Sequence, residues 1–203
     1  MIQSPLLVVA TRNAGKLREM RSLLALPGLR VVSLDELAID DEVEEGPDYA
    51  ENAVRKASAA AVATGLWAVG DDSGLEVDVL DGAPGPHSAR LAGPKRTDAD
   101  RRRTLLTLLA PHPRPWTARF RCTMALASPQ GTIDVVVGVC PGQVIPEERG
   151  SGGFGYDPIF LVEGKKETMA ELSEEEKNRL SHRARAVQAL LPVLHSRLGL
   201  DAG

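Results

Sequence analysis

Several things are missing from this sequence of 203 residues, and each absence closes a class of function. There is no basic excess. The 24 Lys and Arg stand against 28 Asp and Glu, a net charge of −4. No global positive field exists to gather nucleic acid, so any phosphate must be held by a local cluster. There is no long apolar run either. Pro5 to Ala10 is too short to span a bilayer and lacks the basic flank of a secretory signal, so no membrane partner is expected and the cytoplasm is the expected location. The two cysteines, Cys122 and Cys140, fit no metal spacing and are expected to be reduced core residues. No repeat or low-complexity linker appears. What is present is ordinary for a soluble protein, with 43% hydrophobic and 26% charged residues, and the length suffices for a single domain with a full core over residues 1–203.

Strand and helix patterns alternate, which points to an α/β fold. Leu6–Ala10 reads as a buried strand. A helix follows from Ala14 to about Leu26, with Leu17, Met20, Leu23 and Leu24 on one face and Pro27-Gly28 as its stop. Val31-Val32 is a short strand, and an acidic loop runs from Asp35 to Asp48. Tyr49–Thr64 is an alanine-rich helix closed by Gly65. Trp67–Gly70 and Leu75–Val79 read as two strands separated by Asp71-Asp72-Ser73-Gly74, and a loop covers Gly82–Gly93. Asp100–Ala110 is helical, with Thr97 or Asp98 as cap. Ala118–Ala127 and Thr132–Val139 flank Ser128-Pro129-Gln130-Gly131 as a hairpin. Val144-Ile145 and Ile159–Val162 are further short strands, and Ser173–Leu198 is helical, opened by a Ser173/Glu176 capping box.

Five segments carry chemistry. Thr11-Arg12-Asn13-Ala14-Gly15-Lys16 lies where a strand gives way to a helix, offering amides, a helix N-terminus and a lysine to a polyphosphate. It departs from a Walker A loop because Ala10 replaces the first Gly and Leu17 the metal-binding hydroxyl, so a metal must be held elsewhere. Asp71-Asp72 supplies paired carboxylates, which repel unless a cation intervenes or one is protonated, and which also suit a plain turn. Glu44 and Glu45 offer another oxygen ligand for a hard cation, or simply a solvated charge run. Gly152-Gly153-Phe154-Gly155-Tyr156-Asp157 lets a backbone approach a flat ligand on which Phe154 stacks. Lastly, Lys177 and Arg183 would lie roughly 240° apart on one continuous helix, at about 100° per residue, so they meet one ligand only if the helix breaks near Leu180-Ser181.

Taken in order, the chain resembles the inosine triphosphate pyrophosphatase family, the non-canonical purine nucleoside triphosphate pyrophosphatases. The matching stretches are Ala10–Lys16, Glu51-Asn52-Ala53, Asp71–Leu75, Pro84-Gly85, Ser88-Ala89-Arg90, Gly152–Pro158, and Glu175–Asn178 with Ser181-His182-Arg183. The small departures include Arg12, His87, Leu91 and Glu45. The resemblance implies an elongated mixed β-sheet flanked by helices, in two lobes with a central cleft. It also implies hydrolysis of ITP, dITP and XTP to the monophosphate and pyrophosphate, Mg²⁺ dependence, a homodimer, and a role in cleansing the nucleotide pool.

On that reading Mg²⁺ is held by Glu44 and Asp72, with the alignment favouring Glu44 over Glu45. Asp72 or Asp71 orients and deprotonates water, and the family gives the base role to the position of Asp72. Lys16 and Lys56, with the amides of Thr11, Arg12, Asn13, Ala14 and Gly15, hold the polyphosphate; Lys56 lies one helical turn after Asn52. Ser73 touches phosphate or sugar. The base stacks on Phe154 within Gly155-Tyr156, and Asp157 or His182 reads or braces its edge. Lys177 and Arg183 donate to a 6-oxo group and leave an adenine amino group unmatched. Two further readings are a Maf-like pyrophosphatase of modified pyrimidine nucleotides and a non-catalytic nucleotide sensor. A nucleic-acid-binding module fits worst.

Overall fold

The computed structural model describes residues 4–40 and 43–200. Helix limits fall where capping chemistry puts them. Helix α1, Ala14–Leu23, begins after Asn13, whose side chain accepts the Lys16 N–H at 3.0 Å. Helix α2, Tyr49–Thr64, runs from an Asp48 cap to Gly65, whose φ of 69° is the left-handed stop that glycine adopts without strain. Helix α3, Asp98–Leu109, opens with a Thr97/Asp100 capping box. Helix α4, Glu174–Leu180, starts at Ser173 and ends at Ser181, an extended residue with φ −66° and ψ 157°; α5, His182–Leu198, follows at once. The break that the Lys177/Arg183 spacing asks for is therefore present.

Six strands form one sheet in the order β2-β1-β3-β4-β5-β6. Their ranges are β1 Leu6–Val9, β2 Arg30–Ser33, β3 Trp67–Val77, β4 Trp116–Ala127, β5 Ile133–Val144 and β6 Phe160–Val162. Strand β1 is parallel to β2 and β3, joined to them through helical crossovers, whereas β5 and β6 are antiparallel. The sheet is thus mixed and helix-flanked, as expected. Two expectations are corrected. The strands at Trp67–Gly70 and Leu75–Val79 are one strand, β3, that runs through Asp71-Asp72-Ser73-Gly74 without turning and yields to a 3-10 turn at Asp78–Leu80. Val144 is the end of β5 rather than a strand of its own.

By contacts the chain divides into two compact units. The first is Met1–Asp72, Cys122–Gly138 and Arg183–Gly203; the second is Ser73–Arg121 and Val139–His182. The first unit has a core on each face of its strands. Leu7, Val9 and Val69 pack with Met20 of α1 and Leu24 at its C-cap, and with Ala186, Val187, Leu190 and Leu194 of α5. Val8 and Ala68 pack with Ala53, Ala57, Ala60 and Ala61 of α2. Strand periodicity makes this division, since alternate side chains leave opposite faces. Gly70 lets α2 come close: a Cβ there would lie 2.6 Å from the Ala53 carbonyl oxygen and 2.7 Å from the Ala57 nitrogen. In the second unit Leu105 and Leu109 of α3 pack with Trp116, Phe120, Val144, Tyr156 and Phe160.

Candidate active site

The alternation that divides the core also separates the two adjacent acids of β3. Asp71 continues the face of Val69, and Lys16 of α1 and Arg183 of α5 reach it there. Lys16 Nζ lies 2.9 Å and Arg183 Nη2 3.2 Å from Asp71 Oδ2, and the other end of the guanidinium meets Glu19 of α1. The Cys122 thiol donates to the same Asp71 oxygen at 4.0 Å. Burial pushes the Asp71 pKa up, but the charges of Lys16 and Arg183 outweigh it and hold the carboxyl well below the usual range. Burial, with the Asp71 charge beside it, pushes the Cys122 thiol up to about 12, so it stays protonated.

Asp72 continues the face of Ala68 and meets α2. Its Oδ2 accepts the Asn52 Nδ2–H at 2.8 Å, and its Oδ1 lies 3.7 Å from Lys56 Nζ. Asn52 is itself locked, its Oδ1 accepting the Gly46 N–H at 2.7 Å and its amide donating to the Gly46 carbonyl at 2.9 Å. Lys56 also donates to the Asp71 carbonyl at 3.2 Å and is ion-paired with Glu45. Here the balance is reversed. Burial raises the Asp72 pKa, and Asn52, Lys56 and Lys16 only partly oppose it while Glu45 adds to it. Asp72 is thus a buried acid short of positive charge.

That shortage fits a divalent cation. Among the described residues no three His, Cys, Asp or Glu side chains gather as a metal site. Among the described residues Asp72 with one neighbouring glutamate could offer carboxylate donors. Mg²⁺ suits such a set, because it uses one or two carboxylates and completes its octahedron with water and substrate phosphate. Glu45 is half-buried against Lys56, whereas Glu44 is exposed to solvent.

In the Thr11–Lys16 segment some of the expected donors are already engaged. Asn13 caps the Lys16 N–H, Thr11 Oγ1 accepts the Asn13 N–H at 3.3 Å, and the Thr11 N–H donates to the Val9 carbonyl. The amides of Ala14 and Gly15 lie in the first turn, where helical geometry supplies no intrahelical acceptor. Arg12 turns outward to Asp40 at 2.7 Å.

The second unit holds Phe154, Asp157, Lys177 and His182, whereas Arg183 lies in the first. Asp157 Oδ2 accepts the Phe154 N–H at 2.9 Å and Lys177 Nζ at 2.7 Å, and the Lys177 ammonium sits 5.2 Å from the Phe154 ring centroid. Gly153, at φ 72°, makes room: a Cβ there would lie 2.0 Å from Asp157 Oδ2. His182 stacks on Phe120 with centroids 4.8 Å apart and planes at 16°. Tyr156 is turned into the core, its hydroxyl donating to the Ser88 carbonyl at 2.8 Å. Ser73 is half-buried in β3. Lys177 and Arg183, expected to meet one ligand, answer to different carboxylates: Asp157 for the first, Asp71 and Glu19 for the second.

The sequence offers no sign of Glu19 or Cys122 beside Asp71, and it places Asn52 one turn from Lys56 without giving it a partner. Asn52 carried a signal, since an Asn inside an alanine-rich helix gives up helix propensity and asks for a reason.

Known proteins match this chain along nearly its whole length. The model of the Ham1 family matches residues 7–193. A dITP/XTP pyrophosphatase of Desulforamulus reducens is 49% identical over 191 residues, covering 93% of this chain and 95% of the relative. One of Geobacter sulfurreducens is 50% identical over 186 residues, 91% of this chain and 94% of that one. Among solved structures, a HAM1 protein from Coxiella burnetii superposes with a TM-score of 0.86 at 40% identity, over 95% of this chain and 99% of that one. The expected resemblance is borne out: the chain belongs to the Ham1 family.

Proposed function

We propose that this chain is a Mg²⁺-dependent nucleoside-triphosphate pyrophosphatase that cuts non-canonical purine nucleotides, ITP, dITP and XTP, into the monophosphate and pyrophosphate. The observation that carries the reading is the divergence of Asp71 and Asp72. One acid is neutralised and fixed. The other is buried, with Oδ2 accepting from Asn52 and burial raising its pKa against the nearby cations, as suits a general base beside an arriving metal and triphosphate. The names and coverage of the relatives support the substrate class.

Mg²⁺, held by Asp72 and Glu44 when bound, would neutralise charge on the phosphates. Glu45 is already paired with Lys56, which leaves the exposed Glu44 as the available carboxylate. Asn52 fixes Oδ2 of Asp72 so that Oδ1 orients the water and takes its proton. Asp71 is not the base. It aligns Lys16, whose ammonium, with that of Lys56 and the amides of Ala14 and Gly15, draws charge from the leaving pyrophosphate. Ser73 bonds a phosphate or sugar oxygen. Phe154 stacks on the base, and Lys177, aligned by Asp157, donates to its 6-oxo group, with His182 bracing the edge. Arg183 acts on Asp71 and reaches the base only if it leaves its carboxylates. The same reading carries a homodimer and removal of deaminated purines from the cytoplasmic nucleotide pool.

The deciding experiment is pyrophosphate release with Mg²⁺ across ITP, XTP, dITP, ATP, GTP and a panel of modified pyrimidine triphosphates. Preference for the first three supports the reading. Preference for pyrimidines moves the chain to Maf-like chemistry, and tight ITP binding with no release makes it a sensor.

A further inference from the structure

The residue after Phe154 is held at both ends by one helix. Gly155 takes the left-handed conformation, with φ 63°. Its N–H donates to Asp98 Oδ2 at 2.7 Å, and its carbonyl accepts Arg102 Nη1 at 2.9 Å. Asp98 and Arg102 are one turn apart on α3, so their side chains rise from the same face and grip a single residue. The grip is itself braced. The other Asp98 oxygen is ion-paired with Arg101, and Arg102 Nη2 donates to Glu148 at 2.9 Å. The neighbours of Gly155 are fixed as well, Phe154 through its N–H on Asp157 and Tyr156 through its hydroxyl on the Ser88 carbonyl. A half-exposed aromatic ring thus stands on a backbone in which the N–H and carbonyl groups of both Phe154 and Gly155 are committed.

We infer that Asp98 and Arg102 are positioning residues that hold Phe154 in its stacking pose before substrate arrives. The inference rests on the reading of Phe154 as the base platform. A ring already in place spares the ordering cost of binding; once the clamp is cut, that cost falls on the substrate. The loss then appears in binding of the base and leaves the phosphate chemistry alone.

The experiment compares KM and kcat for ITP, and inhibition by inorganic tripolyphosphate, in the wild type, Phe154→Ala, Asp98→Ala, Asp98→Asn and Arg102→Ala. The clamp predicts KM raised about tenfold in Asp98→Ala and Arg102→Ala, with kcat within about twofold and tripolyphosphate inhibition unchanged. Asp98→Asn keeps a carbonyl acceptor for the Gly155 N–H and should restore most of the loss, which a general stability defect would not do. Adding Arg102→Ala to Phe154→Ala should raise KM no further. If Phe154→Ala leaves KM unchanged, the base-stacking reading fails and the clamp with it. If Phe154→Ala raises KM and the α3 variants do not, stacking stands and the clamp alone is overturned. Equal loss of tripolyphosphate inhibition would also overturn it, as the effect would then be global.

Discussion

Asp71 and Asp72 are joined by one peptide bond, yet their carboxylates leave opposite faces of β3: Asp71 meets Lys16 and Arg183, Asp72 meets Asn52 of α2. Two like charges that would repel in a turn are separated by the pleat and given different environments. One becomes a fixed anion and the other, on the proposed reading, the base, a division of roles between carboxylates set by surroundings.

Replacing Asp72 by Asn should therefore cost activity and spare the fold. Loss of a general base is worth about 10²–10⁴ in rate. The substituted amide can still accept the Asn52 N–H, and it removes a charge that burial disfavours. Turnover of ITP should drop by at least about a hundredfold, with a melting temperature no lower than wild type. Near-normal turnover would remove Asp72 from the mechanism.

Asp71→Asn should do the opposite. It leaves Lys16 and Arg183 facing each other without their shared anion, a loss of about 3–5 kcal/mol by analogy with broken buried pairs. Because the folded-state pKa is lowered, the stability Asp71 contributes is present above the unfolded value of about 3.9 and is lost as pH falls below it. Melting temperature followed from pH 7 to pH 3 should fall steeply at the acid end for wild type. Asp71→Asn should start lower and change less, and parallel curves would refute the assignment.

The sequence made much of this legible, and what it hid is non-local in kind. Asp48 and Gly65 mark both ends of α2, and the mismatch of Lys177 and Arg183 on one helix locates the break at Ser181. Both signals lie within a few residues of the feature they control. Asp-Asp-Ser-Gly misleads because it is good turn chemistry by itself. It remains a strand only because α1, α5 and α2, up to 112 residues distant, bring the partners that offset burial of two carboxylates. For the same reason nothing near Arg183 announces that Asp71 and Glu19 engage it.

Glu44 and Glu45 should separate in their dependence on metal. Glu44→Gln should raise the Mg²⁺ concentration for half-maximal rate by about tenfold or more, the loss of one charged ligand. Glu45→Gln frees Lys56 from its pair and should act mainly on KM for the triphosphate. The reverse result would make Glu45 the ligand.

Lys177→Met tests base reading. The ammonium is buried with Asp157 beside the Phe154 ring, where it can donate but never accept. Removing it should lower the ITP over ATP ratio of kcat/KM at least about tenfold, mostly by slowing ITP, whose 6-oxo group loses its donor, and partly by relieving ATP, whose amino group no longer faces a cation. An unchanged ratio would place discrimination elsewhere.

Gly70→Ala tests whether the spacing of α2 from β3 sets the catalytic geometry. The new methyl would lie 2.6 Å from the Ala53 carbonyl oxygen, 2.7 Å from the Ala57 nitrogen and 2.9 Å from Lys56 Cβ. Two of these are backbone atoms, so a rotamer change cannot make the room and the helix has to move. Overpacking of this kind costs about 1–3 kcal/mol. The functional cost should exceed the stability cost, because the helix that moves carries Asn52 and Lys56, side chains that face Asp72. A shift of about 1 Å at such contacts can slow an enzyme about a hundredfold. Gly70→Ala should therefore remain folded at 25 °C, melt several degrees lower and turn over ITP far more slowly, with KM changed less than kcat. A variant that loses stability while keeping full kcat would show that Asp72 does not need α2 at this distance.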